Sequence, residues 1–281
     1  MSDSLDTFRP DLSGTWHCAQ AGAWRVQAGN RFAHWRLGVD AASVRCLPLK
    51  DLRPDELARL AQQHASGGQV QLEAHPEGEL CHWLRRTDFQ PPVLQTWAGW
   101  LMFVAPQRFI EVDAEDASSR VWERSAAVDL QPQEVWCLAG LDADGQDDGR
   151  VLLGAGQVRV YLRPRQARWP QGMLPGLSLA DVLLHEPQRA LEWLDHEQSL
   201  ALLEDATHAR VTLSTLPERL GQSMVCTVRT EPGGRLAQVC WGTDQGLWRV
   251  LVHGWFALIG VSVLTTYQHH FVDVPTGALA G

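Results

Sequence analysis

Ala28-Gly29-Asn30-Arg31-Phe32-Ala33-His34-Trp35-Arg36 recurs in outline as Ala155-Gly156-Gln157-Val158-Arg159-Val160-Tyr161-Leu162-Arg163, 127 residues further along (Ala28 to Ala155). In each copy a small-residue turn leads into alternating apolar and polar side chains, the pattern of a β-strand whose two faces meet different surroundings. In a chain of 281 residues that offset is close to half the length. The echo predicts an internal duplication, two related β-rich modules.

Working outward, Leu12-Ser13-Gly14-Thr15-Trp16 opens the first module after a disordered stretch, 1–11. Residues 24–36 read as a hairpin around Gly29-Asn30, followed by a strand at 44–47. One short helix is predicted over 52–63, where Pro54 falls in the first turn, Asp55 and Glu56 follow, and apolar residues recur at helical spacing. Strands at 70–74, 80–86, 97–105, 108–112 and 119–127 then alternate with turn signals. The acidic, Gly-punctuated stretch Asp142-Ala143-Asp144-Gly145-Gln146-Asp147-Asp148-Gly149 reads as a linker, giving modules at 12–141 and 150–281. As a calcium loop it fails, with Leu153 and Asp147 at positions that need a ligand and a glycine. The second module repeats the order: a strand pair over 151–163, a helical segment at 179–184, and strands at 191–203, 209–215, 223–229 and 237–241. Leu80-Cys81-His82-Trp83-Leu84 and Ala190-Leu191-Glu192-Trp193-Leu194 form a second matched pair.

Composition narrows the partners. A formal net charge of −9, with no Lys/Arg run, argues against nucleic acid. The apolar run 250–264 is interrupted by His253 and two glycines and is short for a bilayer span, so no membrane partner is expected. The acidic N-terminal stretch lacks the basic start and apolar core of a signal peptide, and the six scattered cysteines form no C-x-x-C pair. A cytoplasmic location is the expectation. Thirteen Trp against two Tyr supply rigid apolar plates for a core or for a lined cavity.

Gly14-Thr15-Trp16 ahead of a meander resembles the start of the lipocalin or calycin group. Cys81-x-Trp83-x-Arg85-Arg86-x-Asp88-Phe89-Gln90-Pro91-Pro92, then Phe109-Ile110-Glu111 and Val121-Trp122-Glu123-Arg124, is similar to a bacterial set of two-barrel lipocalin-like proteins. The second copy lacks the Gly-x-Trp start. The resemblance implies barrels with an apolar or mixed interior, hosting carriers, haem binders or a few enzymes, and an Arg stacked on a Trp at the barrel floor.

Standard catalytic signatures are absent when read strictly. His185-Glu186-Pro187-Gln188-Arg189 has Arg where a zinc helix needs its second His. Gly221-Gln222-Ser223-Met224-Val225 lacks the closing glycine of a nucleophile elbow. Gly154-Ala155-Gly156 has Arg159 where a dinucleotide loop has Gly. No metal and no cofactor are expected.

Candidate site residues therefore come from strand faces. Phe32, His34 and Arg36 share one face of their strand and Ala33, Trp35 and Leu37 the other; Arg159, Tyr161 and Arg163 oppose Val158, Val160 and Leu162 in the second copy. If the polar face looks inward, His34 moves a proton or, with Arg36, holds a carboxylate; if outward, these are solvent residues. Arg85 beside Trp83 is either the stacked floor pair or an anion-binding group. Glu111 and Glu123 lie on neighbouring strands, as general acids or as partners of Arg85 or Arg124. Glu192, Asp195, His196 and Glu197 cluster around Trp193. His253 reads as a buried histidine, and His269-His270 as an adventitious metal site.

The expectation is an all-β fold of two tandem lipocalin-like antiparallel barrels, each with one short helix. The leading function is binding of a small apolar or aromatic molecule in a Trp-lined barrel cavity, with a homodimer as the one macromolecular assembly considered. The ligand set is Trp35, Arg36, Trp83, Arg85, Trp100, Tyr161, Arg163, Trp193 and His196. The alternative is a cofactor-free isomerase, cyclase, hydratase or decarboxylase with His34, Glu111 and Glu123 as catalytic groups; a third reading is a structural protein with filled barrels.

Overall fold

The computed structural model of the protein describes residues 12–36, 44–75, 78–92, 97–125, 135–141, 144, 146–169, 176–231 and 234–241. The run 250–264 with His253, and His269-His270, lie outside the described residues.

The fold is all-β, with two antiparallel sheets laid down in sequence. The first begins with β1 (Gly14–Cys18), β2 (Ala23–Ala28) and β3 (Arg31–Arg36). The β2–β3 hairpin turns on Gly29-Asn30, with Gly29 at φ 59°, a left-handed conformation that glycine adopts without a Cβ clash. Helix α1 (Pro54–Leu60) follows, its first turn closed by the Glu56 carboxylate, which accepts from the Arg53 backbone N–H at 2.9 Å. The meander continues through β4 (His64–His75), β5 (Gly78–Asp88), β6 (Trp97–Ala105), β7 (Arg108–Asp113) and β8 (Ser119–Arg124). Pairing of Trp16 with Arg124 and of His17 with Glu123 joins β8 to β1 and closes an eight-stranded barrel. Residues 44–47, expected as a strand, form bends ahead of α1.

The second sheet contains β9 (Val135–Leu141), β10 (Asp147–Ala155), β11 (Val158–Arg163), β12 (Glu197–Leu203), β13 (His208–Ser214), β14 (Ser223–Glu231) and β15 (Gly234–Trp241), paired in chain order into a curled half-barrel. β9, expected within the first module, pairs with β10 of this sheet. Two helices, α2 (Leu179–His185) and α3 (Ala190–Leu194), connect β11 to β12 where one was expected. The expected strand at 191–203 divides: Ala190, Trp193 and Leu194 are buried at i, i+3 and i+4, a helical period, and only from Glu197 does the chain extend. The likeness of 190–194 to 80–84 is thus not one of structure, since 80–84 lies on β5.

The 28–36 and 155–163 echo does correspond to matching hairpins, each with a left-handed glycine (Gly29, φ 59°; Gly156, φ 58°). They pack back to back. Val26, Ala28, Ala33 and Trp35 from the barrel join Leu153, Ala155, Val158, Val160 and Leu162 in one buried cluster, which α2 and α3 cover through Leu179, Val182 and Trp193. Phe32 and His34 are thereby turned into the barrel. Polar ties reinforce the junction: the Gln90 amide donates to the carbonyl of Ala61 (2.8 Å) and accepts from the N–H of Leu179 (2.9 Å), while Arg165 donates to the carbonyl of Phe89.

Candidate functional site

The barrel interior is packed, not hollow. Trp16, Phe32, Trp83, Phe109 and Trp122 fill it with Cys18, Cys81, Val70 and Leu101. At its centre lies Arg25, fully buried, whose Nη2 donates to the Glu111 carboxylate at 2.8 Å. The guanidinium carbon sits 3.8 Å from the Trp83 ring centroid, 4.1 Å from Trp122 and 5.3 Å from Trp97. This is the stacked floor pair expected of Arg85, supplied instead by β2. An ion this deep persists because an opposite charge and ring faces replace its lost hydration. Glu111, expected as a catalytic group, is the buried counter-ion of Arg25.

Above this plug, at one end of the barrel, opens a pocket of about 420 Å³ lined by His34, Arg36, His64, Arg85, Asp88, Trp97, Asp113, Glu115 and Arg120, with Ser66 and alanines between them. Its lining is mainly polar, where a Trp-lined apolar cavity was expected, and Trp97 is its one indole. A bulge in β5 shapes the wall. Gly67 faces Thr87 and Gly68 faces Arg85, so Arg86 is an extra residue in the register. The slip turns Arg86 and Thr87 away together and returns Asp88 to the side of Arg85. Arg85 then donates to Asp88 at 2.7 Å.

The other two guanidiniums are less balanced. Arg120 Nη1 stands 3.9 Å from Asp113 and 4.0 Å from Glu111 and makes no hydrogen bond. Arg36 has no carboxylate within ion-pair distance among the described residues, and burial and the nearby Arg120 charge lower its pKa. The imidazole of His34 meets Trp97 edge to face at 4.9 Å, and its buried Nδ1 has no hydrogen-bond partner. Burial first, then the charges of Arg25, Arg36 and Arg120, hold its pKa well below the usual histidine value, so it is neutral at pH 7. Burial first, then the charges of Arg36 and Arg85, lower the pKa of His64 to about 4. Burial pushes the Asp88 carboxyl up to about 6 against the opposing pull of Arg85. The lining thus sets three arginines against three carboxylates, Asp88, Asp113 and Glu115, beside one aromatic wall, and Arg36 is the arginine left outside ion-pair distance of a carboxylate among the described residues.

Of the expected site residues, the structure brings His34, Arg36 and Arg85 together here. The others lie elsewhere. Glu123 is exposed on the barrel's outer face, 3.8 Å from Arg108. Trp35 is buried between the sheets and Trp83 beneath Arg25. Trp100 faces outward in a shallow hollow with Met102 and Val112. Trp193 is buried on α3, stacked on Trp169 at 5.0 Å. Tyr161 packs edge to face on Trp241 in the second sheet, 5.8 Å away.

The cluster around Trp193 resolves into a linked ion network, Asp195–Arg163–Glu197–Arg219, and a separate Arg189–Glu192 pair. Arg163 meets Asp195 at 2.5 Å and Glu197 at 3.6 Å, Arg219 lies 3.1 Å from Glu197, and Glu192 accepts from Arg189 at 3.0 Å. His196 is buried against Phe89 with its pKa lowered to about 3, through burial first and then Arg165 and Arg163. Arg25, His64, Asp88 and Arg120 were not anticipated. A signal existed for Arg25, since Arg25 and Gln27 alternate with Trp24, Val26 and Ala28 as His34 does with Trp35.

Among the described residues no helix is long and apolar enough to cross a membrane, and no group of three or more His, Cys, Asp or Glu is placed to hold a metal ion. Comparisons with protein-family models, with curated proteins and with solved structures found no match to this chain.

Proposed function

We propose that the closed barrel binds a small aromatic carboxylate in the pocket above its Arg25 plug, with the carboxylate on Arg36 and Arg120 and the ring against Trp97. The observation that carries this reading is Arg36, an exposed guanidinium of the pocket lining with no counter-ion among the described residues, beside Arg120, whose buried Nη1 makes no hydrogen bond. A planar carboxylate matches the guanidinium fork. A volume of about 420 Å³ suits a ligand of one or two rings. The proposed partner is aromatic, as composition suggested, but anionic, since a purely apolar molecule would leave Arg36 without a counter-ion. The proposal extends to kinship: a closed barrel opening with Gly14-Thr15-Trp16 supports a lipocalin-like carrier.

Titration of tryptophan emission with benzoate and with benzamide tests the proposal. The acid is expected to quench Trp97 saturably and the neutral amide to have at least about tenfold lower affinity. Equal affinity for both would refute a charge-selective site.

One observation favours a second reading, acid–base catalysis on the same anion. A neutral histidine, His34, and a carboxyl titrating near 6, Asp88, share the pocket. Turnover lost in both His34→Gln and Asp88→Asn, with benzoate binding kept, would establish it.

A further inference from the structure

We propose a second binding site, in the cleft between the two sheets, for an alkyl carboxylate whose chain lies between the sheets and whose head group meets Arg31. The cleft measures about 390 Å³, within the range of small-molecule sites. In contrast to the barrel pocket, its walls are mostly aliphatic: Gly67 and Gly68 of β4 face Cys137, Val151 and Leu162 of β9, β10 and β11. A Cβ on Gly67 would fall 2.3 Å from Leu162 Cδ2, so this glycine is what lets the second sheet close down on β4.

Polar groups sit at the edge of this apolar slot. Arg31 has no carboxylate within ion-pair distance among the described residues; its guanidinium is met by the Gln69 amide, oriented with its oxygen at 3.2 and 3.3 Å. Thr87 Oγ1, on the wall, is buried without a hydrogen-bond partner. Arg86 and Asp147 face each other at 3.6 Å from opposite sheets, a weak, exposed pair that an entering anion displaces at little cost. Apolar walls, an uncompensated cation and an orphaned hydroxyl together call for an amphipathic anion. A neutral lipid leaves Arg31 unused, and a small polar anion leaves the walls wet.

The test uses the whole chain and decanoate, with decanol as its uncharged counterpart. Calorimetry is expected to show saturable decanoate binding, at least about tenfold weaker decanol binding, a similar loss for decanoate in Arg31→Gln, and none detectable in Ala139→Trp, which fills the cleft. Arg36→Ala is expected to bind decanoate as the wild type does, which separates this site from the barrel pocket. Peptide mapping of iodoacetamide labelling needs no variant: decanoate is expected to slow labelling of Cys137 in the cleft and leave exposed Cys46 unchanged. Absence of decanoate binding, full affinity in both cleft variants, or equal protection of Cys46 and Cys137 would overturn the assignment.

Discussion

The indole nitrogen of Trp35 donates to the carbonyl of Gln198 at 3.2 Å, and the Gln198 amide donates in return to the carbonyl of His34 at 2.8 Å. Neighbouring residues of one barrel strand are thus bound to one residue of the other sheet, within the buried cluster that both sheets build. Trp35→Ala removes a buried indole and is expected to cost about 3–5 kcal/mol. Trp35→Phe keeps most of the packing and removes one hydrogen bond from the Gln198 carbonyl, which still accepts from the Thr215 N–H at 3.2 Å, costing about 0.5–1.5 kcal/mol. Urea unfolding of both variants is expected to show one transition moved to lower denaturant. A second transition left in place would mean that the sheets unfold independently.

Arg25 and Glu111 stabilise the barrel only as a pair. Removing one partner leaves a charge in a site built for two, and Arg25→Met or Glu111→Gln is each expected to cost about 3–5 kcal/mol. The double variant Arg25→Met/Glu111→Leu is expected to lose less than the sum of the singles, because no uncompensated charge remains. Additive losses in chemical denaturation would show that the two side chains act separately.

Stability is expected to fall on acidification because of His196. Its folded pKa, about 3, lies below the unfolded value, so the unfolded chain binds the extra proton between about 6.5 and 3, and folding weakens as pH drops through that window. Well inside the window one such group contributes about 1.4 kcal/mol per pH unit. Asp88 and Glu197, both raised by burial, work the opposite way, with stability lost as pH rises through their folded values. Melting temperatures from pH 7 to 4 are expected to fall less steeply in His196→Asn than in the wild type, and an unchanged slope would exclude His196 as the source.

Anion binding is expected to have its own pH dependence. Above about 6 the ionised Asp88 engages Arg85 and adds negative charge to the pocket; below it the neutral carboxyl leaves Arg85 available. Benzoate affinity is expected to rise several-fold from pH 7.5 to 5.5, and the rise is expected to vanish in Asp88→Asn. Calorimetry at the two pH values reads this directly.

The alternation in Phe32-Ala33-His34-Trp35 located the strand and its two faces, but not which face was interior. The usual sense is reversed here. The outer face of β3 meets the second sheet instead of water, so Ala33 and Trp35 are buried outside the barrel while His34 points in. One chain cannot reveal that reversal, because both faces of such a strand are covered. Arg36 and Arg85 could be named from spacing. Their companions Asp88 and Arg120 could not, since Asp88 reaches the pocket only through the bulge at Arg86 and Arg120 only through the β7–β8 register. The glycine turns, Gly29 and Gly156, were legible because a left-handed residue leaves a chemical trace in the sequence. Trp193 was misplaced because Leu191-Glu192-Trp193-Leu194 satisfies a strand pattern as readily as a helical one.

Calorimetric titration of benzoate into the wild type, Arg36→Ala and Glu123→Ala, side by side at pH 6, tests the central claim most directly. The pocket reading predicts saturable binding to the wild type and to Glu123→Ala, whose carboxylate lies on the barrel's outer face, and at least about tenfold weaker binding to Arg36→Ala. Equal affinity in all three proteins, or no binding to the wild type, would contradict it.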